Sequence, residues 1–364
     1  MGLRSSLPSQ ASPVQTQAEE TRNTAENLRD ERLLGESGFA RHLSRGRVAG
    51  RLENPKGAFV DILDSIGNTP LVQLRRVVPE GSARVLVKLE MANPTGSMKD
   101  RMARAAIEAA EKNHQLDPGG TVVEYTGGTT GISLAFVCAA KGYKIEIVFS
   151  DAFSQEKALT MMAFGANVTT VHNAGEGITE TTIKQMIEKA REISRQPGHW
   201  WSDQLNNRDA ATGYHALGEE IWRQTKGTID AFVHTVGTAH SIHGTMEGLS
   251  THRRGIHVIA VEPEESAVLS GRAAGSHNIE GIGIGFVPPL WQREKVNEVM
   301  TVSTPEAEQM TRLLAREEGI FAGTSSGANV VAALRVAKRL GPKATVVTLM
   351  VDSGVRYLST GLYR

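Results

Sequence analysis

From residue 57 onward the chain alternates short, β-branched apolar runs with longer segments of helical periodicity. That alternation restricts the fold more than any other feature. Strands are expected at 85–89, 121–125, 144–149, 167–171, 231–235, 257–261 and 345–350. Each is apolar almost throughout, as a strand covered on both faces must be. Helical patterns lie between them at 101–112, 131–141, 155–164, 180–194, 210–225, 305–318 and 328–340. Gly142 and Gly165 stand where left-handed C-cap residues would end two of them. The repetition predicts an α/β protein with parallel sheets flanked by helices.

Residues 1–56 differ in texture. They are rich in Ser, Gln, Glu and Arg with few apolar side chains, and a polar, disordered extension is expected. Met1-Gly2-Leu3-Arg4-Ser5-Ser6 meets the short myristoylation pattern, for which an unmodified tail is the simpler reading. Glu19, Glu20, Glu26, Asp30 and Glu31 run against an acid-poor transit peptide, so a cytoplasmic location is expected, with organellar import by the extension left open. Forty Lys+Arg balance forty Asp+Glu, which removes the usual footprint of a nucleic-acid or polybasic membrane partner. No run of about 18 apolar residues is present to span a bilayer. The single cysteine, Cys138, excludes a disulfide framework, a thiolate zinc site and a C-x-x-C redox pair.

Chemistry concentrates at glycine-rich strand-to-helix junctions. Thr126-Gly127-Gly128-Thr129-Thr130-Gly131 follows an expected strand and opens an apolar helix. Such a loop aims unpaired backbone N–H groups at an anion. Gly237-Thr238-Ala239-His240-Ser241 repeats the arrangement, and Gly323-Thr324-Ser325-Ser326-Gly327 precedes another helix. The last also reads as G-x-S-x-G, but an α/β-hydrolase needs its histidine after its serine, and the final histidine is His277. Gly281-Ile282-Gly283-Ile284-Gly285 runs into Pro288 and Pro289, which forbid the helix of a dinucleotide fingerprint. His234, His240 and His243 lack an acidic or thiolate neighbour in sequence, and no metal site is expected. The segment Asn93-Pro94-Thr95-Gly96-Ser97-Met98-Lys99-Asp100-Arg101 sets Lys99 in the first turn of a helix. A cation is disfavoured there, and the same positive potential with partial burial turns an amine into a better nucleophile.

The order of these segments, from about residue 63 to 362, resembles the cysteine synthase / cystathionine β-synthase family of fold-type II pyridoxal-phosphate enzymes, of which this chain is a divergent member. The resemblance opens with Ile66-Gly67-Asn68-Thr69-Pro70-Leu71 and includes the lysine segment and the Thr126–Gly131 loop. It runs on through Gln204-Leu205-Asn206-Asn207, the Gly237–Ser241 loop, Gly281–Pro288 and Gly323–Gly327. It closes with Asp352-Ser353-Gly354-Val355-Arg356-Tyr357-Leu358-Ser359-Thr360.

The resemblance implies a two-lobed, tryptophan synthase β-like fold. Its large cofactor-binding lobe would comprise 57–93 and 205–364, and its small mobile substrate lobe 94–204. Pyridoxal 5'-phosphate would be held covalently by Lys99, which also moves the α-proton. Gly237, Thr238, Ala239, His240 and Ser241 would cup the phosphate, Ser325 would meet the pyridine nitrogen, and Thr129 would face the ring hydroxyl. Thr126, Gly127, Thr130 and Gln204 would hold the carboxylate of a small amino-acid substrate. A hydroxyl at the ring nitrogen, unlike a carboxylate, does not keep it protonated, so loss of the α-proton is expected to be coupled to departure of a β-substituent.

The implied activity is β-replacement on an activated serine, O-acetylserine plus sulfide giving cysteine and acetate. The alternatives are β-elimination to pyruvate and ammonia by a cysteine desulfhydrase or serine-type deaminase, or a non-catalytic relative that binds a partner such as serine acetyltransferase. A homodimer is expected. Heme is not, since the heme-binding relatives use an N-terminal Cys and His, and no C-terminal regulatory module is expected. The chain departs from the family's T-S-G-N-T-G at Gly127 and Thr129, and from its G-T-G-G-T at Ala239 and His240. His240 is expected to add a side-chain donor to the phosphate.

Overall fold

The computed structural model describes residues 61–173 and 179–364, and the expectations for residues 1–56 lie outside them. Ten strands are formed among the described residues: β1 (Leu71–Gln73), β2 (Arg84–Lys88), β3 (Thr121–Tyr125), β4 (Lys144–Ser150), β5 (Asn167–Val171), β6 (His199–Trp201), β7 (Ala231–Thr235), β8 (His257–Pro263), β9 (Glu298–Val302) and β10 (Thr345–Leu349). They make a six-stranded sheet, β1-β2-β10-β7-β8-β9, and a four-stranded sheet, β5-β4-β3-β6. Every pairing is parallel except that of the edge strand β1 with β2. β3, β7 and β10 are buried along their whole length, which is why they read as continuous apolar runs.

The α-helices are α1 (Lys99–Lys112), α2 (Thr129–Lys141), α3 (Gln155–Ala163), α4 (Glu180–Ser194), α5 (His215–Thr225), α6 (His240–Ser250), α7 (Thr304–Leu313) and α8 (Thr324–Leu340). α8 covers one face of the larger sheet with Ala328, Ala332, Val336 and Ala337. Leu217 and Ile221 of α5 and Ile242 and Leu249 of α6 cover the other. The smaller sheet lies between Ile132 and Val137 of α2 on one side and Ile183, Met186 and Ala190 of α4 on the other. α1 serves both cores, because its 3.6-residue period turns two stripes outward: Met102 and Ala106 pack in the larger core, Ala103, Ile107 and Ala110 in the smaller.

Three helical patterns resolve differently from expectation, and the one at 328–340 starts four residues early, at Thr324, so that Ser325 lies in the first turn of α8. The pattern at 210–225 begins as a 3-10 turn, Arg208–Tyr214, and becomes α5 only at His215. There the backbone of α1 passes so close that any Cβ at Gly213 would overlap the Arg101 carbonyl. The pattern at 305–318 starts at Thr304 behind a Ser303–Glu306 capping box and ends in a π-turn, Leu314–Glu318, stopped by left-handed Gly319.

Candidate active site

The turn that delivers Lys99 is fixed from both sides by buried charge. Asp100, next to it, accepts from Thr95 N (2.8 Å), from the Thr95 hydroxyl (2.5 Å) and from the Ser133 hydroxyl (2.6 Å), which ties α1 to α2. Arg101 forks onto Glu90 (2.7 and 2.9 Å) and Glu220 (2.8 and 2.9 Å), and Lys88 donates to Glu220 at 2.6 Å. Lys99 itself is half-buried, and its Nζ enters no hydrogen bond or ion pair among the described residues. Burial pushes its amine down to about 8, opposed by the charge of Asp352. An unpaired amine in that range is poised for covalent chemistry at a carbonyl.

Lys99 stands where the central strands of the larger sheet end. Met98 N donates to Val351 O (3.0 Å) and Ser353 N to Gly96 O (2.9 Å), so the lysine turn docks on the exit of β10. Gly323 N donates to Asp352 O (3.1 Å), which brings the start of α8 to the same place. A Cβ on Gly323 would overlap the Asp352 carboxylate and the Tyr357 ring, which explains the glycine. Ser325, two residues on, is 2% exposed, and its hydroxyl has no partner among the described residues. Asn329 of α8 accepts from Thr235 N (2.7 Å) and donates to Leu349 O (2.8 Å), locking α8 to the exits of both β7 and β10. The carboxyl ends of parallel strands are where α/β sheets bind ligands.

The loop after β7 forms the first anion cup. The backbone N–H groups of Gly237, Thr238, Ala239, His240 and Ser241 donate to nothing among the described residues, and they sit at the positive end of α6. Ala239 caps the helix at φ +71, a left-handed conformation that an L-side chain adopts at a cost of about 1–2 kcal/mol. His240 departs from expectation. Its Nε2–H donates to Asn207 O at 2.8 Å, so in the neutral ring Nδ1 accepts the Thr238 hydroxyl, also at 2.8 Å. Burial, opposed by the bond to Asn207 and helped by the charge of Lys99, pushes the ring down to about 4 and keeps it neutral. Neither nitrogen is left for an outside anion. His234 is likewise engaged, with Ser241 Oγ at 2.8 Å, and His243 Nε2 accepts from Gln292 N at 3.1 Å.

The Thr126–Gly131 loop forms the second cup, after β3. Thr126 Oγ1 accepts Gly128 N (2.9 Å) and Gly131 N (3.3 Å), which folds the loop and leaves the hydroxyl hydrogen free to donate. Gln204 is brought directly to it: the Thr130 hydroxyl donates to Gln204 Oε1 at 2.9 Å, and Gln204 Nε2 donates to Tyr125 O at 2.7 Å. One N–H of the amide stays available. The departure at Gly127 has a physical cause, because a Cβ there would sit 2.8 Å from Phe153 Cε1. Thr129 is half-buried, without a side-chain partner among the described residues.

Three charged groups belong to this region although the motifs do not single them out. Lys157 of α3 runs its stem beneath Gly128, stands 2% exposed and is ion-paired with Glu280, with the Tyr357 ring 5.1 Å below its ammonium. Glu124, inside fully buried β3, accepts from the Ser202 hydroxyl, Gln204 N (2.9 Å) and Tyr125 N (2.9 Å), and burial pushes it up to about 8. Glu124 was legible as a charge in an apolar strand. Lys157 and Glu280, 123 residues apart, carry no such signal.

Comparison with known proteins gives the same answer from sequence and from fold. Residues 62–352 match the family described as pyridoxal-phosphate dependent enzyme. A cysteine synthase from Staphylococcus aureus is 43% identical over 306 residues, covering 83% of this chain and 96% of the relative. The solved structure of a cysteine synthase from Entamoeba histolytica superimposes with a TM-score of 0.79 at 36% identity, over 86% of this chain and 93% of that one. A hydrogen sulfide-producing enzyme from Fusobacterium nucleatum follows at 0.78 and 33% identity, over 83% of this chain and 100% of that one.

Proposed function

This chain belongs to the family of pyridoxal-phosphate dependent enzymes and is an enzyme of the cysteine synthase type, and from that premise we propose that it performs β-replacement on O-acetylserine, with sulfide entering and acetate leaving to give cysteine. When bound, pyridoxal phosphate supplies the electron sink that lets the α-proton and the β-substituent leave. The chain's own groups fit it: a cup of undonated N–H groups at Gly237–Ser241 for the phosphate, an unpaired Lys99 amine for the aldehyde, and an unpartnered Ser325 hydroxyl for the ring nitrogen.

The observation that carries the reading is Ser325. A buried hydroxyl, where a carboxylate would hold the ring nitrogen protonated, favours coupled loss of the α-proton and the acetate over a long-lived carbanion. Thr126, Gly127, Thr130 and Gln204 orient the substrate carboxylate, so that the α-proton faces the Lys99 Nζ that removes it. Thr129 faces the ring hydroxyl. Residues 94–204 act as the small substrate lobe and the remainder from 57 as the large one, in keeping with two sheets that have separate cores. The assembly is a homodimer in the cytoplasm, with serine acetyltransferase as a further partner. Among the described residues no helix is long and apolar enough to cross a membrane.

Elimination is the competing reading, favoured by the likeness to the hydrogen sulfide-producing enzyme. Purified holoenzyme given O-acetylserine with and without sulfide separates the two. Cysteine formed with sulfide at least about tenfold faster than pyruvate supports replacement. Pyruvate and ammonia released at one rate whether or not sulfide is present overturns it.

A further inference from the structure

The family's phosphate loop has glycines where this chain has Ala239 and His240, and Ala239 takes a left-handed φ of +71 directly before the histidine. His240 is 2% exposed, with both ring nitrogens used inside the protein. One holds the hydroxyl of Thr238 in the cup. The other donates to the carbonyl of Asn207, 33 residues upstream. From that residue a continuous chain of hydrogen bonds leads to the second cup. Asn207 Nδ2 donates to Ser202 O (2.9 Å), the Ser202 hydroxyl donates to Glu124 Oε2, and that same oxygen accepts Gln204 N (2.9 Å). Gln204 then grips the Thr130 hydroxyl.

We infer that His240 is a positioning residue that joins the cofactor-phosphate loop to the substrate-carboxylate residue Gln204 through Asn207, Ser202 and Glu124. The inference rests on the two cups having the roles proposed above. The two ring nitrogens act differently. Nδ1 orients Thr238 within the cup, whereas Nε2–H sets the Asn207 segment and, through it, Gln204. Substitution can separate these effects, because an asparagine at this position places its amide oxygen near Nδ1 and has nothing at Nε2. A glutamine places its amide nitrogen near Nε2 and has nothing at Nδ1.

Holoenzymes of the native chain, His240→Asn, His240→Gln and Glu124→Gln are compared by three readouts: the rate of cofactor release after dilution, the KM and kcat for O-acetylserine, and the 31P resonance of the bound cofactor. His240→Asn is expected to raise KM about tenfold with kcat and cofactor release little changed, and His240→Gln to speed cofactor release about tenfold with KM little changed, each having lost one buried hydrogen bond. Glu124→Gln, one step before Gln204 on the path, should raise KM and leave release alone. Equal effects of the two His240 variants on both readouts, or no effect of either, would overturn the inference. A 31P signal of the native holoenzyme that titrates like free phosphate would instead refute the placement of the phosphate in the Gly237–Ser241 cup.

Discussion

Replacing Arg101 by methionine removes a guanidinium that makes four hydrogen bonds to two buried carboxylates. Methionine covers much of the arginine stem, so the loss is chiefly one of charge. In the native chain Arg101 and Lys88 balance Glu90 and Glu220. In the variant Lys88 stays paired with Glu220 (2.6 Å), and Glu90 keeps only the Thr69 hydroxyl (2.6 Å) and Asn93 Nδ2 (3.0 Å). One uncompensated buried charge costs about 3–5 kcal/mol. At the 2–4 °C per kcal/mol usual for large domains, thermal unfolding of the cofactor-saturated variant should fall by about 10 °C. The same lesion loosens the first turn of α1, so cofactor retention should fall with it, Lys99 being two residues away. Arg101→Met combined with Glu90→Gln removes the carboxylate left without a cation, keeps the Lys88–Glu220 pair and should recover roughly half of the loss. A loss under about 1 kcal/mol in the single variant, or a double variant no more stable than the single, would refute the reasoning.

Other outcomes are expected. Lys99→Ala should abolish the visible absorption of bound cofactor and lower turnover by at least about a thousandfold, and full activity in that variant would reject Lys99 as the base. His234, His240 and His243 are held at about 3, 4 and 4, chiefly by burial. The unfolded chain therefore takes up their protons first as pH falls below the ordinary value of 6.5. Stability should drop from roughly pH 6 to 4.5 by about 1.4 kcal/mol per pH unit for each histidine, and denaturant unfolding across that range should show about two linked protons, because buried Glu124, held at about 8, already carries in the folded chain a proton that its unfolded carboxyl lacks until near 4.5. Glu220 adds a lower limb. Burial would raise it, but the hydrogen bonds and charges of Arg101 and Lys88 outweigh burial and hold it at about 2, so its contribution is present above 4.5 and lost as pH falls toward 2. Ala239→Gly relieves the left-handed strain against the extra chain entropy of glycine, and should stabilise by about 0.5–1 kcal/mol in urea titration. Destabilisation by that variant would show that the Ala239 methyl packing outweighs the strain.

The features legible in the chain alone are local ones. β3, β7 and α4 begin and end where periodicity places them, because a strand buried on both faces must be apolar throughout and an amphipathic helix must repeat its apolar face; β5 also matches its expected bounds, through β-branching alone, since it is a half-exposed edge strand rather than one covered on both faces. Lys99 and the glycine-rich loops at 126–131, 237–241 and 323–327 stand out in the chain for the same reason: a helix N-terminus with its glycines and hydroxyls is a feature of a few consecutive residues, whereas the roles given to single residues such as Ser325 come from the family resemblance. Whatever depends on distant partners was settled only by folding. β1, β6 and β9 are short edge segments with half-exposed sequence, and only pairing with a neighbouring strand makes them strands. The conversion of 208–214 to a 3-10 turn follows from the passing backbone of α1, and the glycine at 127 from the Phe153 ring. The bond from His240 Nε2 to Asn207, the reach of Arg101 to Glu220 and the burial of Lys157 against Glu280 join residues 33, 119 and 123 positions apart. No local pattern encodes such pairs. A buried charge is tolerated only once the fold has brought its counter-charge to it, and that meeting is settled by packing.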